Sequence, residues 1–237
     1  MKRNFVKSLC VVLSAAMLLT GCATWNNTAK GGVIGAAGGA AGGAAIGALI
    51  GKLTGNVGVG AAIGAGVGTA VGAGTGVIIG RRMDKAAAAA AAIENAKVET
   101  VTDANNLTAV KVTFSSGLMF DTNKYNLKRN AMNDLNDFSN VLLEFADADV
   151  AIFGHTDSTG SDQINDPLSV NRANAVADYL LSRGVAPTQL KTVEGRGSKE
   201  PVADNGTSAG RAENRRVEIY LYASEAMINA ANNGALE

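Results

Sequence analysis

The stretch Asp149-Val-Ala-Ile-Phe-Gly-His-Thr-Asp-Ser-Thr-Gly-Ser-Asp-Gln-Ile-Asn-Asp-Pro-Leu-Ser-Val-Asn-Arg172 sets a strand against a helix. Residues Asp149 to Phe153 alternate in the period of a strand. Asp166 as N-cap and Pro167 at the first helical position predict a helix start. That helix should run to Arg183, with Gly184 placed to cap it. Its apolar residues Leu168, Val176, Tyr179 and Leu180 fall at helical spacing. Arg172 lies four residues from both Leu168 and Val176, so its guanidinium sits on or beside the face that should be buried. A charge there needs a partner. The candidates are Asp157, at the strand exit, and an anionic ligand.

Outward from this unit the same alternation continues. Ala109 to Phe114 reads as a strand, Ser115 to Tyr125 as a loop, and Lys128 to Phe145 as a helix through Met132, Leu135, Phe138, Val141, Leu142 and Phe145. Leu190 to Glu194 and Arg216 to Leu221 are further strands, with Gly195-Arg-Gly197 an exit loop and Thr207 to Asn214 a loop or short turn. Strands alternating with helices predict an α/β (α+β) layer sandwich, a mixed sheet of about four strands with helices on one face. At about 120 residues such a domain can bury its own core.

Composition divides the rest. The chain has 237 residues and 29 glycines, far above the roughly 7% of average proteins, and the glycines crowd into the first third. Lys and Arg number 21 and so do Asp and Glu, which leaves no basic footprint for nucleic acid. The N-terminus carries Lys2, Arg3 and Lys7, an apolar run from Leu9 to Leu19, and then Leu19-Thr20-Gly21-Cys22. This predicts a secretory signal over 1–21, too short for a membrane span. Small residues before a cysteine resemble a lipobox, with cleavage before Cys22, a diacylglycerol on its thiol and an acyl (palmitate) lipid on the same residue. The competing reading is an ordinary signal peptide with an incidental cysteine. Ala23 after the cysteine, rather than aspartate, favours the outer membrane, and Trp25 would sit at the interface.

Residues 22–30 form a lipidated tether. From 31 to 82 glycines recur at 31, 35, 39, 43, 47, 51 and 55 and again at 60, 64, 68, 72, 76 and 80. A period of four lays a glycine ribbon down one side of each of two helices, the surface that lets helix backbones touch in lipid. No charge stands between Lys30 and Lys52, or between Lys52 and Arg81, so each leg exceeds the roughly 20 residues of a bilayer crossing. The segment is therefore predicted as a membrane-associated, transmembrane helical hairpin, against a flexible linker or a soluble glycine-zipper oligomer. A phosphate loop is excluded, because Leu53 follows Gly51-Lys52. Residues 83–106 read as an Ala-rich connecting helix and linker, 107–224 as the folded domain, and 225–237 as a C-terminal tail.

Phe120-Asp121, Gly154-His-Thr-Asp157, Leu168-Ser-Val-Asn-Arg-Ala173, Gly195-Arg-Gly197, Pro201 and Gly210-Arg-Ala-Glu-Asn-Arg-Arg-Val217 stand in this order between Ala109 and Leu221. Together they resemble the OmpA-like peptidoglycan-binding domain of peptidoglycan-associated lipoproteins and flagellar stator proteins. The lipobox and glycine ribbon are similar to the YiaD type of outer-membrane lipoprotein. The resemblance implies an OmpA-like fold and a ligand, the peptidoglycan stem, read through its diaminopimelate. Asp157 and Arg172 match the family's aspartate and arginine in type and spacing. Asp157 would take the ammonium and Arg172 the carboxylate. The resemblance adds Asn123, Thr159, Asn165 and Arg215 and the backbone near Phe120 and Asp121. From the residues alone, a structural Asp157–Arg172 ion pair remains open.

The implied function is non-covalent tethering of the outer membrane to the cell wall, with the C-terminal domain in the periplasm. The implied partners are peptidoglycan, outer-membrane lipid and, through the ribbon, further copies of the chain. One rival makes the glycine hairpin a pore or bilayer-perturbing device that the domain only anchors. The other is a peptidoglycan hydrolase. That would need a zinc constellation, a thiol nucleophile or paired carboxylates, whereas His155 is the sole histidine and Cys22 the sole cysteine left after cleavage. No enzyme, metal or other cofactor is expected. His155 should be a hydrogen-bonded core residue, and Arg215 and Arg216 should point to opposite faces of the last strand.

Overall fold

The computed structural model describes residues 73–103 and 107–236. The signal peptide, Cys22 with its tether and the glycine ribbon up to residue 72 lie outside the described residues. Alternating side chains form five strands: β1 (Ala96–Thr102), β2 (Thr108–Ser115), β3 (Ala148–Gly154), β4 (Leu190–Gly195) and β5 (Arg216–Ala223). They make one mixed sheet in the order β1-β2-β5-β3-β4. Only the β3–β4 pair is parallel, joined by a helical crossover, as parallel neighbours require.

The helices are α1 (Ala73–Ala90), α2 (Ser116–Met119), α3 (Arg129–Glu144), α4 (Asp162–Ser182), α5 (Ser208–Asn214) and α6 (Glu225–Asn232). α1, α3, α4 and α6 contribute to one core with the inward side chains of the sheet. Ile79, Met83, Phe114, Leu135, Phe138, Leu142, Ile152, Leu180, Val217 and Ile219 meet there. The opposite sheet face carries a small aromatic cluster, Ala109, Ala151, Phe153, Tyr220 and Tyr222. The helices therefore do lie on one face, as expected, while the sheet has one strand more than expected.

The additional strand and two helices correct three boundaries. Residues 83–106 are not a linker. α1 continues without a break from the last glycines of the ribbon through Arg81 and Arg82 to Ala90, and it buries Ile79, Met83, Ala86 and Ala90 in the core. Burial of Ile79 and Met83 is worth about 1.5–3 kcal/mol each, enough to hold a helix that glycine alone would melt. Gly76 and Gly80 are buried with them, so the end of the second zipper leg belongs to the domain. Among the described residues no helix is long and apolar enough to cross a membrane. Ala96–Thr102, taken for helix or linker because alanine dominates what precedes it, pairs antiparallel with β2 from Ala96↔Phe114 to Thr102↔Thr108. Residues 225–232 are no tail. Ser224 caps α6 through Met227 N–H (3.0 Å), and Met227, Ile228 and Ala231 are buried.

A fourth correction matters for function. α4 begins at Asp162 with Ser161 as its N-cap, and Pro167 lies inside it rather than at its first position. The five added residues are polar apart from the exposed Ile164, so they carry no helical period of apolar residues. Asn165 is the buried one among them. At the far end Gly184 adopts φ +96°, the left-handed cap the sequence predicts. Gly154 and Gly195 bring α4 down on the ends of β3 and β4. A Cβ on Gly154 would lie 2.2 Å from Ser169 O, and one on Gly195 2.3 Å from Ser169 Oγ.

Candidate functional site

The strand ends define the site. Gly154 on β3 is in register with Gly195 on β4 and Val217 on β5, so the loops leaving or entering these strands converge at one edge. Main-chain bonds tie them: His155 N–H donates to Arg216 O (2.9 Å), Thr156 N–H to Gly197 O (2.8 Å) and Ser116 N–H to Arg215 O (2.8 Å). A further loop, closed by the Phe120↔Leu127 bridge, hangs over them. Between these segments lies an open cavity of about 510 Å³.

All six residues singled out from the sequence, Asn123, Asp157, Thr159, Asn165, Arg172 and Arg215, line this cavity, and so do Phe120 and Asp121. Asp157 and Arg172 are not paired with each other. Arg172 is 3% exposed, its Nε donates to Lys124 O (3.1 Å), and its guanidinium lies 5.3 Å from the centre of the Phe120 ring. No carboxylate of the described residues comes within 4 Å of it. Burial, and then the nearby Arg215, lower its pKa from the ordinary arginine value, with Asp157 acting against them. It remains charged at neutral pH.

Asp157, 7% exposed, receives Thr159 N–H on Oδ1 (2.8 Å) and Arg215 Nη1 on Oδ2 (2.5 Å). Burial alone would raise its pKa. The hydrogen bonds from Arg215 and Thr159 outweigh that and hold it below the ordinary aspartate value. Asn165 donates to Thr159 O (3.1 Å), so it braces the loop that carries Asp157. Asn123 adopts φ 57°, a left-handed conformation that asparagine tolerates better than most residues. The geometry is a fixed anion and a fixed cation, each buried and opening on one space, the anion paired with Arg215 and the cation held by a main-chain carbonyl and an aromatic ring. Such a pair can receive a group carrying both an ammonium and a carboxylate.

Sequence reasoning passed over Arg211, Asn205 and Asn214. Asn214 is fully buried and its amide bonds Val202 N–H (2.8 Å), Ala203 N–H (3.0 Å), Ala203 O (2.9 Å) and Asn205 Oδ1 (2.9 Å). Asn205 in turn accepts Ser158 N–H through its side chain (3.2 Å) and Arg211 Nη1 through its carbonyl (2.9 Å). The signal was the motif Gly210 to Val217, from which only Arg215 was taken. His155 also differs from expectation: it is a core residue, 1% exposed, but neither ring nitrogen finds a hydrogen-bond partner. Arg215 and Arg216 do point to opposite faces, one in the cavity and one in a self-paired network behind the sheet that borders a second cavity of about 560 Å³.

Comparison with known proteins places the same segment. The OmpA family model matches residues 119–215, and a YMGG-like Gly-zipper model matches residues 1–84. The peptidoglycan-binding protein ArfA of Mycobacterium tuberculosis (strain ATCC 25618 / H37Rv) is 55% identical over 87 residues, 37% of this chain and 26% of ArfA. Two Escherichia coli (strain K12) proteins are similar. The one named "Probable lipoprotein YiaD" is 40% identical over 106 residues, 45% of this chain and 48% of its own length. YfiB is 36% identical over 107 residues, 45% of this chain and 67% of its own length. The chain thus spans about a quarter of ArfA and about half of YiaD. Among solved structures, the cell wall anchor of the T6SS from Pseudomonas aeruginosa superposes with a TM-score of 0.50 at 28% identity, covering 60% of this chain and 98% of that one. With its cavity built largely from the matched segment, the chain belongs to the OmpA family and joins that domain to a YMGG-like glycine zipper.

Proposed function

We propose that this protein binds peptidoglycan non-covalently through the peptide stem and tethers the outer membrane, where Cys22 carries lipid, to the cell wall. The observation that carries the reading is the open cavity in which Asp157 and Arg172 face one space without neutralising each other. Diaminopimelate presents an ammonium and a carboxylate on one carbon. Asp157, kept ionised by Arg215, takes the first beside its existing donors, and the Arg172 fork takes the second. Asn123, Thr159, Asn165 and Arg215 complete the pocket, and no bond is broken. Support also comes from ArfA, which is named for binding peptidoglycan, and from the type VI cell wall anchor, which shares the fold. Many stems facing a membrane rich in the protein would add avidity.

Pull-down on purified sacculi tests the assignment. Asp157→Ala and Arg172→Ala should each weaken retention by about 2–5 kcal/mol, because each leaves the opposite charge of the guest unmatched. Retention of both variants at the wild-type level would overturn it.

A further inference from the structure

Four cations line the cavity, Lys128, Arg172, Arg211 and Arg215, against two carboxylates, Asp121 and Asp157. Two of the cations are matched within the protein: Lys128 lies 3.4 Å from Asp121, and Arg215 is bonded to Asp157. Arg172 and Arg211 are left. Neither has a carboxylate within 4 Å among the described residues, and each is held by one main-chain carbonyl, Lys124 O at 3.1 Å and Asn205 O at 2.9 Å. A zwitterionic carbon is neutral and satisfies Arg172 with Asp157. It does nothing for Arg211.

Resting on the stem reading above, we propose that the cavity takes a second carboxylate of the stem on Arg211, and therefore prefers stems whose glutamate carboxylate is free over stems that carry it as an amide. Arg211 is suited to this. It stands in the last turn of α5, where its carbonyl accepts the N–H of the capping residue Arg215 (3.1 Å), and both arginines line the cavity. Its anchor, Asn205, is fixed by the fully buried Asn214, which spares the guanidinium much of the ordering cost of a mobile surface arginine. Its remaining N–H groups match a carboxylate in geometry and charge. A carboxamide at the same place brings an NH₂ and no charge, setting donors against donors.

Calorimetric titration of the full chain in detergent micelles, with two synthetic stem tripeptides that differ only in a free or amidated glutamate carboxylate, decides the matter. Wild type should bind the free acid about tenfold more tightly, the weight of one charge-assisted contact. Arg211→Gln should bind both peptides alike, at the wild-type affinity for the amide. Equal wild-type affinities would overturn this inference and leave the stem reading standing; no binding of either peptide would overturn the stem reading itself. A tenfold preference that survives in Arg211→Gln would overturn the assignment to Arg211. Should Arg211→Gln fail to fold, Arg211→Met removes the charge while keeping an unbranched side chain, and an undiminished preference there would equally remove Arg211 from the contact.

Discussion

Arg215 and Arg216 are consecutive in the chain, yet they enter two charge clusters of opposite character. On the helix-covered side, Arg215 joins Asp157, Arg172 and Arg211 around an open cavity where two guanidinium groups lack a carboxylate. On the other side, Arg216 bonds Glu218 (2.7 Å), Asn214 O (3.2 Å) and Glu200 O (3.1 Å). Glu218 also receives Lys111 (2.8 Å) and Tyr220 OH (2.7 Å). That second cluster is saturated by the protein itself, so its charges serve the fold. The first leaves two guanidinium groups without a carboxylate, the imbalance on which the proposed acidic guest rests. Burial alone does not separate the two, since Arg172 and Arg216 are almost equally buried at 3% and 4%. The identity of their partners does.

The sharpest way to break this contrast is to exchange the consequences of losing one carboxylate on each side. Glu218→Gln should cost about 3–5 kcal/mol of stability by leaving the buried Arg216 without its carboxylate, read by chemical denaturation followed by circular dichroism. It should leave retention by sacculi unchanged in the fraction that folds. A loss of binding in folded Glu218→Gln, with stability intact, would dissolve the distinction between the clusters.

Acid titration probes the self-paired side more gently. Burial, then Arg216 and Lys111, lower the His155 pKa to about 3, against the opposing pull of Glu218. Burial would raise the Glu218 pKa, but Arg216 and Lys111 overcome it and hold the group at about 2. Both groups bind protons more readily when unfolded, so stability rises with pH across their windows. It should therefore fall first as pH drops from about 6.5, when the unfolded histidine charges, and more steeply below about 4.5, each group contributing at most about 1.4 kcal/mol per pH unit. His155→Asn should flatten the curve between pH 6.5 and 4.5. An unchanged slope there would show that the buried imidazole does not govern acid lability.

The smallest expected effect lies on the open side. Asn123 holds a left-handed backbone at the cavity rim, so Asn123→Gly should leave stability within about 0.5 kcal/mol while Asn123→Val costs about 1–2 kcal/mol. Equal stability of the two variants in thermal melts would mean that this rim relaxes freely and is not preorganised.

The site was more legible than its frame. Asp157 and Arg172 could be set near one another because a strand exit, a polar loop and a charged helix face are encoded in contiguous residues, whereas Asn123, Thr159, Asn165 and Arg215 entered only through the family resemblance. β1 escaped because Ala96–Thr102 follows an alanine run and its pattern makes sense only beside β2. The start of α4 escaped because Asp162 to Asp166 are polar apart from the exposed Ile164, and only Asn165 turns toward the cavity, so no apolar period marks the turn. Arg211 escaped because its place depends on Asn205 and Asn214 locking a loop, and on a count of charges that only the assembled cavity permits.

By itself, then, the amino-acid order determined the alternating elements, the helical side of the sheet and the two charges at the strand-to-helix passage, all of which follow from local period and residue type. Tertiary structure alone decided that Asp157 is matched by Arg215 rather than Arg172, that the final zipper glycines pack on a folded domain, and which of two adjacent arginines lines the cavity. The reason is range. Propensity and periodicity act over a few residues, whereas the balance of charge in a pocket is set by side chains as far apart in the chain as Lys124, Asp157 and Arg215.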